Sequence, residues 1–123
     1  MDRTHPPLPP ISRVLAAAGG LLAAAAVGLS AYASHASQGD ARASLYLAAV
    51  FAFGHGVALA ALAPRAGRRM DRLALSILLV GTVLFCGSLA LSRLADVSTG
   101  LAPMGGMLLI AGWLLHAAAA ARH

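Results

Sequence analysis

Lysine and glutamate are missing from these 123 residues, and all the charge sits on nine arginines and four aspartates. Only 11% of the chain is charged, against about 25% in a soluble domain, while 59% is apolar. That balance excludes a disordered tail and any enzyme that needs a large soluble pocket. Cysteine is nearly absent as well. The single Cys86 rules out a disulfide-stapled secreted domain.

What is present is uncharged length. Four stretches carry no charge at all: Val14 to Gly39, Ala43 to Pro64, Leu73 to Ser92 and Val97 to Ala121. Each reaches the roughly 20 residues that cross a bilayer. The expected fold is therefore all-α, a four-transmembrane-helix bundle. Its helices are predicted over Arg13–Ser34, Ser44–Ala63, Arg72–Arg93 and Pro103–Ala121. Ahead of them, residues 1–12 read as a proline-rich cytoplasmic arm, because Pro6, Pro7, Pro9 and Pro10 block a helix and favour extended chain. Ser12 is the expected N-cap of the first helix. Residues 13–121 form the transmembrane domain. Pro64 and Gly67 are expected to stop the second helix, and Pro103 to open the fourth, with Ser98, Thr99 and Gly100 turning the link before it.

The net charge of +5 raises the question of a nucleic-acid partner. Arg65, Arg68, Arg69 and Arg72 crowd one short link, with no aromatic residue beside them to stack on bases, so no nucleic acid is expected. They read instead as orientation signals. Arg3, Arg13, Arg122 and these four fall on one side of the membrane, and Arg42 and Arg93 on the other. Positive charge gathers on the cytoplasmic side, which places both termini there. A rival reading takes the first stretch as a signal peptide cut after Ala31-Tyr32-Ala33, but its 26 uncharged residues exceed the usual 7 to 15 of such a segment. No twin-arginine pair precedes it.

Without a hydrophobic drive in lipid, helices associate through small residues that let backbones approach. Gly20, Ala24 and Gly28 stand four apart in the first helix, Ser88 and Ser92 in the third, and Gly105 and Gly112 one heptad apart in the fourth. Gly28, Gly87, Gly105, Gly106 and Gly112 are the expected packing positions.

No aspartate or glutamate lies within a span, which removes the group a carboxylate-driven antiporter requires. Histidines do lie there. His55 sits about 12 residues, hence roughly 18 Å, from the outer end of its helix, with Phe51, Ala52, Ala58 and Leu59 on its face. An imidazole in hydrocarbon must find a hydrogen-bond partner, so it marks either a structural link or a site for protons, substrate or metal. His116 shares a stripe with Gly105 and Gly112, at a depth comparable to His55. That depth is compatible with a haem between the two, but no helix carries a paired-histidine pattern. His35 closes the first helix on the outer side. Cys86 reads as a small apolar residue, Trp113 as a packing or lipid-facing anchor, and Tyr32 and Tyr46 as members of an outer aromatic belt.

Four motifs in order carry a resemblance. Ser30-Ala31-Tyr32-Ala33-Ser34-His35 closes the first helix, His55-Gly56-Val57-Ala58-Leu59 lies in the second, Gly81-Thr82-Val83-Leu84-Phe85-Cys86-Gly87-Ser88-Leu89 in the third, and Pro103-Met104-Gly105-Gly106 with Gly112-Trp113 in the fourth. The set resembles the YgdD and transmembrane protein 256-like family, a domain of unknown function numbered 423. Ser30 stands where that family has glycine, Cys86 where it has serine, Ala90 where it has tyrosine and Ala102 where it has threonine. His116 has no counterpart there. The resemblance implies a four-helix protein of the bacterial inner membrane and carries no established activity.

The expected function is therefore non-enzymatic: an accessory or lipid-interacting helix bundle. His35, His55, Thr82 and Ser88 form its candidate intramembrane polar site. The competing expectation is a small oligomeric channel or transporter, its polar path lined by His55 and Thr82 beside Gly87-Ser88 and Gly105-Gly106. A cofactor-carrying electron-transfer subunit is third. No cofactor or metal is expected. The expected partners are membrane lipids and either a second copy of the chain or another membrane protein.

Overall fold

The computed structural model describes residues 6–96, 98 and 100–122. Among them are four long helices and no strand: α1 (Pro10–Ala36), α2 (Gly39–Leu62), α3 (Arg69–Leu94) and α4 (Ala102–Ala121). All four are long and apolar enough to cross a membrane. A single 3₁₀ turn, Ala63–Arg65, follows α2 and contains Pro64.

The helices begin earlier than the apolar stretches suggest. Helix α1 starts at Pro10, in the first turn, where a missing N–H is no loss. The N-cap is consequently Pro9, and Ser12, expected in that role, lies inside the first turn. It is buried, and its hydroxyl has no partner among the described residues. Helix α2 starts five residues early, at Gly39, with Asp40 in its first turn, where a carboxylate suits the positive end of the helix dipole. The arm's first five residues, and Thr99 of the link between α3 and α4, lie outside the described residues.

Only Ser37 and Gln38 separate α1 from α2, and Gly39 takes a positive φ of 61° to reverse the chain. Arg42 completes this turn. Its Nε donates to the carbonyls of Ala33 (3.1 Å) and Ser37 (2.8 Å), and its Nη2 to Ser34 (3.0 Å). Ser37 Oγ adds a bond to Ala33 at 2.7 Å. A cation is favoured at a helix C-terminus, where carbonyls lack partners. Replacing Arg42 by methionine is expected to cost about 1 kcal/mol in a detergent melt, since the stem is kept and the cap lost.

Helix pairing follows a seven-residue rhythm. Ser12, Gly19, Ala26 and Ala33 recur every seventh position on α1 and are all buried, as are Ala49, Gly56 and Ala63 along α2 and its 3₁₀ turn. On α4 the same spacing joins Gly105, Gly112 and Ala119. A 3.5-residue repeat keeps one seam turned to its partner, as in left-handed coiled coils. Where the seams meet, backbones touch. A Cβ added at Gly19 would lie 2.5 Å from the Gly56 carbonyl oxygen, and one at Gly56 would lie 2.6 Å from that of Gly19. Gly81 and Gly105 form the matching pair between α3 and α4.

The helices do not all pack on one another. α1 lies along α2, α2 along α3, and α3 along α4, while α4 has α3 as its one extensive neighbour. The arginine-rich end has a core of Leu15, Leu59, Ala63, Leu75, Leu78 and Leu109; toward the other end it thins to Ala26, Ala48, Ala52 and Cys86. The outward faces are apolar, with Leu21 72%, Val50 67% and Met107 70% exposed. Such a surface is unsuited to water and suited to lipid.

Candidate functional site

His55 sits on the side of α2 that looks across α3 toward α4. Its Nδ1 lies 2.8 Å from the carbonyl oxygen of Phe51, one turn back on the same helix. A carbonyl only accepts, so Nδ1 carries the proton, and Nε2 keeps its lone pair. That lone pair accepts from the indole Nε1–H of Trp113 on α4, at 3.0 Å. His55 is thus a neutral imidazole of defined tautomer with both nitrogens occupied, joining two helices that hardly touch otherwise. Nitrogen-15 NMR of labelled histidine should show the Nδ1–H tautomer for His55.

Aromatic rings surround this link. Phe51 stacks on the imidazole with centroids 5.8 Å apart and planes at 13°, and Phe85 of α3 lies against Phe51 at 4.9 Å. Trp113 meets His116 edge-on at 5.7 Å. The link stands in a cleft of about 580 Å³ between α2 and α4, floored by Phe85 and Leu109 and otherwise apolar. Trp113, read from the sequence as a packing or lipid-facing anchor, is the partner that reading missed. Its signal was available: an indole N–H in hydrocarbon needs an acceptor, and few side chains there can provide one.

The remaining candidate residues lie elsewhere. Thr82 is fully buried, and its hydroxyl donates to the Leu78 carbonyl of its own helix at 2.7 Å. Ser88 is buried, and its hydroxyl has no partner among the described residues. His35 is exposed in a different cleft, of about 660 Å³ between α1 and α2, near the Ser34–Tyr46 hydroxyl pair. The four polar residues therefore do not converge into one site. Of the glycines expected beside a polar path, Gly87 has nothing near its Cβ position, and Gly105 lies against the Phe85 backbone.

The packing glycines divide in the same way. Gly105 and Gly112 are buried against α3, where Leu78 would crowd a Cβ on Gly112 at 2.8 Å; at Gly106 the nearest atom is an ordinary 3.8 Å away. Gly28 and Gly87, expected to pack, face open space within the chain, as does Gly20. Gly19, Gly56 and Gly81, not singled out by the four-residue spacing, make the close approaches.

No group of three or more histidine, cysteine, aspartate or glutamate side chains among the described residues could hold a metal ion. A metal at His55 would have to displace Trp113 from Nε2. Substituting His55 by alanine removes one hydrogen bond between helices and leaves an indole N–H unpaired, so a loss of about 1–2 kcal/mol is expected in thermal melts.

A model for a family described as a protein of unknown function (DUF423) matches residues 29–106, well over half of the chain, from the last turns of α1 to the first turn of α4. No curated protein and no solved structure matches it significantly. His55 lies inside the matched region, and Trp113 and His116 lie beyond it.

Proposed function

Because this chain belongs to the DUF423 family, whose description assigns no activity, we propose a function from its own residues: a non-enzymatic, multi-pass protein of the bacterial inner membrane. It acts there as an accessory or lipid-interacting helix assembly, with both termini cytoplasmic. The observation that carries this reading is the His55–Trp113 link. One imidazole nitrogen is held by the Phe51 carbonyl of its own helix and the other ties α2 to Trp113 of α4, which leaves no lone pair for a substrate, proton relay or metal. The orientation rests on the arginines: Arg65, Arg68, Arg69 and Arg72 stand at one end of the helices, with Arg13 near the start of α1 and Arg122 at the end of α4.

Native mass spectrometry of the full-length protein released from lipid nanodiscs tests the proposal, with wild type beside His55→Ala. The expected spectrum is a single subunit, alone or with ordinary lipids, for both proteins. A defined oligomer carrying a non-lipid mass that disappears with His55→Ala would overturn the reading in favour of a channel or transporter.

A further inference from the structure

No helix packs against the side of α4 that faces α2, because α4 leans on α3. The apolar cleft left there is lined by Phe51, Phe85, Ile110 and Leu114 around the His55–Trp113 link. One turn further along α4, the same three helices line a second hollow of about 150 Å³ at the arginine-rich end. Its floor is Leu62 and Leu75, and its polar groups are Arg65, Asp71 and His116.

These polar groups are not equally engaged. The Asp71 carboxylate accepts from the Arg68 backbone N–H at 3.1 Å and faces the Arg68 guanidinium at 3.6 Å. Arg68 in turn donates to the Ala119 carbonyl at the end of α4. His116 Nδ1 is buried and has no hydrogen-bond partner, and Arg65 makes neither a hydrogen bond nor an ion pair among the described residues. Asp71 is matched by Arg68, which leaves Arg65 as the uncompensated charge of the hollow among the described residues. An apolar cleft followed, one turn on along the same three helices, by a hollow lined by Arg65 and His116 matches a molecule with an apolar tail and an anionic head.

We infer that the α2–α4 cleft binds one anionic phospholipid, its acyl chain along Phe51, Phe85, Ile110 and Leu114 and its phosphate at Arg65 and His116. The inference rests on the lipid-interacting reading above and deepens it by naming the site and the charge of the headgroup. A zwitterionic lipid brings the same phosphate with a choline cation beside it, which the arginine-rich end of the helices repels. Free inorganic phosphate would leave the apolar cleft empty.

The full-length protein, delipidated in neutral detergent, is titrated with phosphatidylglycerol, with phosphatidylcholine of the same chains, and with inorganic phosphate, and the bound masses are read by native mass spectrometry. Wild type should retain one phosphatidylglycerol about fivefold more strongly than phosphatidylcholine. Arg65→Gln combined with His116→Leu should bring that ratio close to one, while Arg93→Gln at the opposite end leaves it unchanged. Ile110→Trp, which fills the cleft, should weaken both lipids. Circular dichroism identifies any variant that has lost its helices. Equal retention of the two lipids by wild type overturns the site, as does a preference that survives the double substitution; both leave the accessory reading standing. Phosphate bound as strongly as the lipid overturns the phospholipid assignment. A non-lipid mass lost with His55→Ala overturns the broader reading instead.

Discussion

Gly19→Ala is expected to destabilise the fold by about 2–3 kcal/mol, whereas Gly20→Ala, one residue on, should be neutral or stabilising by up to about 1 kcal/mol. The two positions differ only in which way they face. A methyl group on Gly19 would lie 2.5 Å from the Gly56 carbonyl oxygen, 2.7 Å from the Ala60 nitrogen and 2.9 Å from the Leu59 Cβ. Two of those three atoms are backbone, so no rotamer change relieves the clash, and α1 and α2 must move apart along their seam. At Gly20 nothing lies within 4 Å. Alanine there replaces the poorest ordinary helix former with the best, at no steric cost. Denaturation in mixed micelles, followed by circular dichroism, separates the two outcomes. Equal losses at both positions would refute the α1–α2 register.

Gly105→Val should have an effect at least as large, about 3 kcal/mol, for a topological reason. Helix α4 has one extensive neighbour, and Gly105 is where it comes closest, with the Phe85 backbone and the Gly81 carbonyl in the way of any side chain. Pushing α4 off α3 there leaves it without another helix to lean on. A transmembrane helix that loses its partner stays inserted in lipid, so the protein should remain in the membrane with α4 detached. The sole tryptophan reports this directly. If α4 moves, Trp113 loses His55, and its emission should change as it does in His55→Ala. Gly106→Ala is the control, since its nearest neighbour is the edge of the Phe85 ring at an ordinary 3.8 Å. Unchanged Trp113 emission in Gly105→Val would show that α4 is held by something other than the glycine contact.

The four spans were legible because charge is so confined. An uncharged run of 20 or more residues has few alternatives to a membrane helix. The ends were less legible: Pro10 and Gly39 to Ala43 belong to helices although proline, glycine and charge mark them as breakers or flanks. Proline is harmless in a first turn, and Arg42 is needed there to cap the preceding helix. Within the chain, the α1–α2 seam runs through Gly19, one residue from the Gly20 that the four-residue spacing selects. A four-residue spacing selects Gly20, Ala24 and Gly28, but a stripe at that spacing drifts around the helix. Antiparallel neighbours in long contact keep a 3.5-residue period, which selects Gly19. On α4 the heptad spacing of Gly105 and Gly112 already pointed to the buried face.

The candidate polar residues show the same division. The depth of His55 and the presence of Phe51 on its face follow from counting along a helix. Where its second nitrogen goes does not, because Trp113 is 58 positions away and reaches it only through the way α2, α3 and α4 are set side by side. Thr82 and Ser88 look similar in a linear reading. One satisfies its hydroxyl on its own helix, and the other is buried without a partner.

By itself, the sequence determined that this is a four-span helical protein whose arginines concentrate at one end, because hydrophobic length and charge placement are properties of consecutive residues. Only the tertiary structure decided which glycines touch, that α4 stands apart from α2 across an open cleft, and that His55 is tied to Trp113. Those depend on the rotation and depth of each helix relative to its neighbour. In lipid that choice is made by backbone contact and single hydrogen bonds between distant residues, not by a hydrophobic pattern that can be read along the chain.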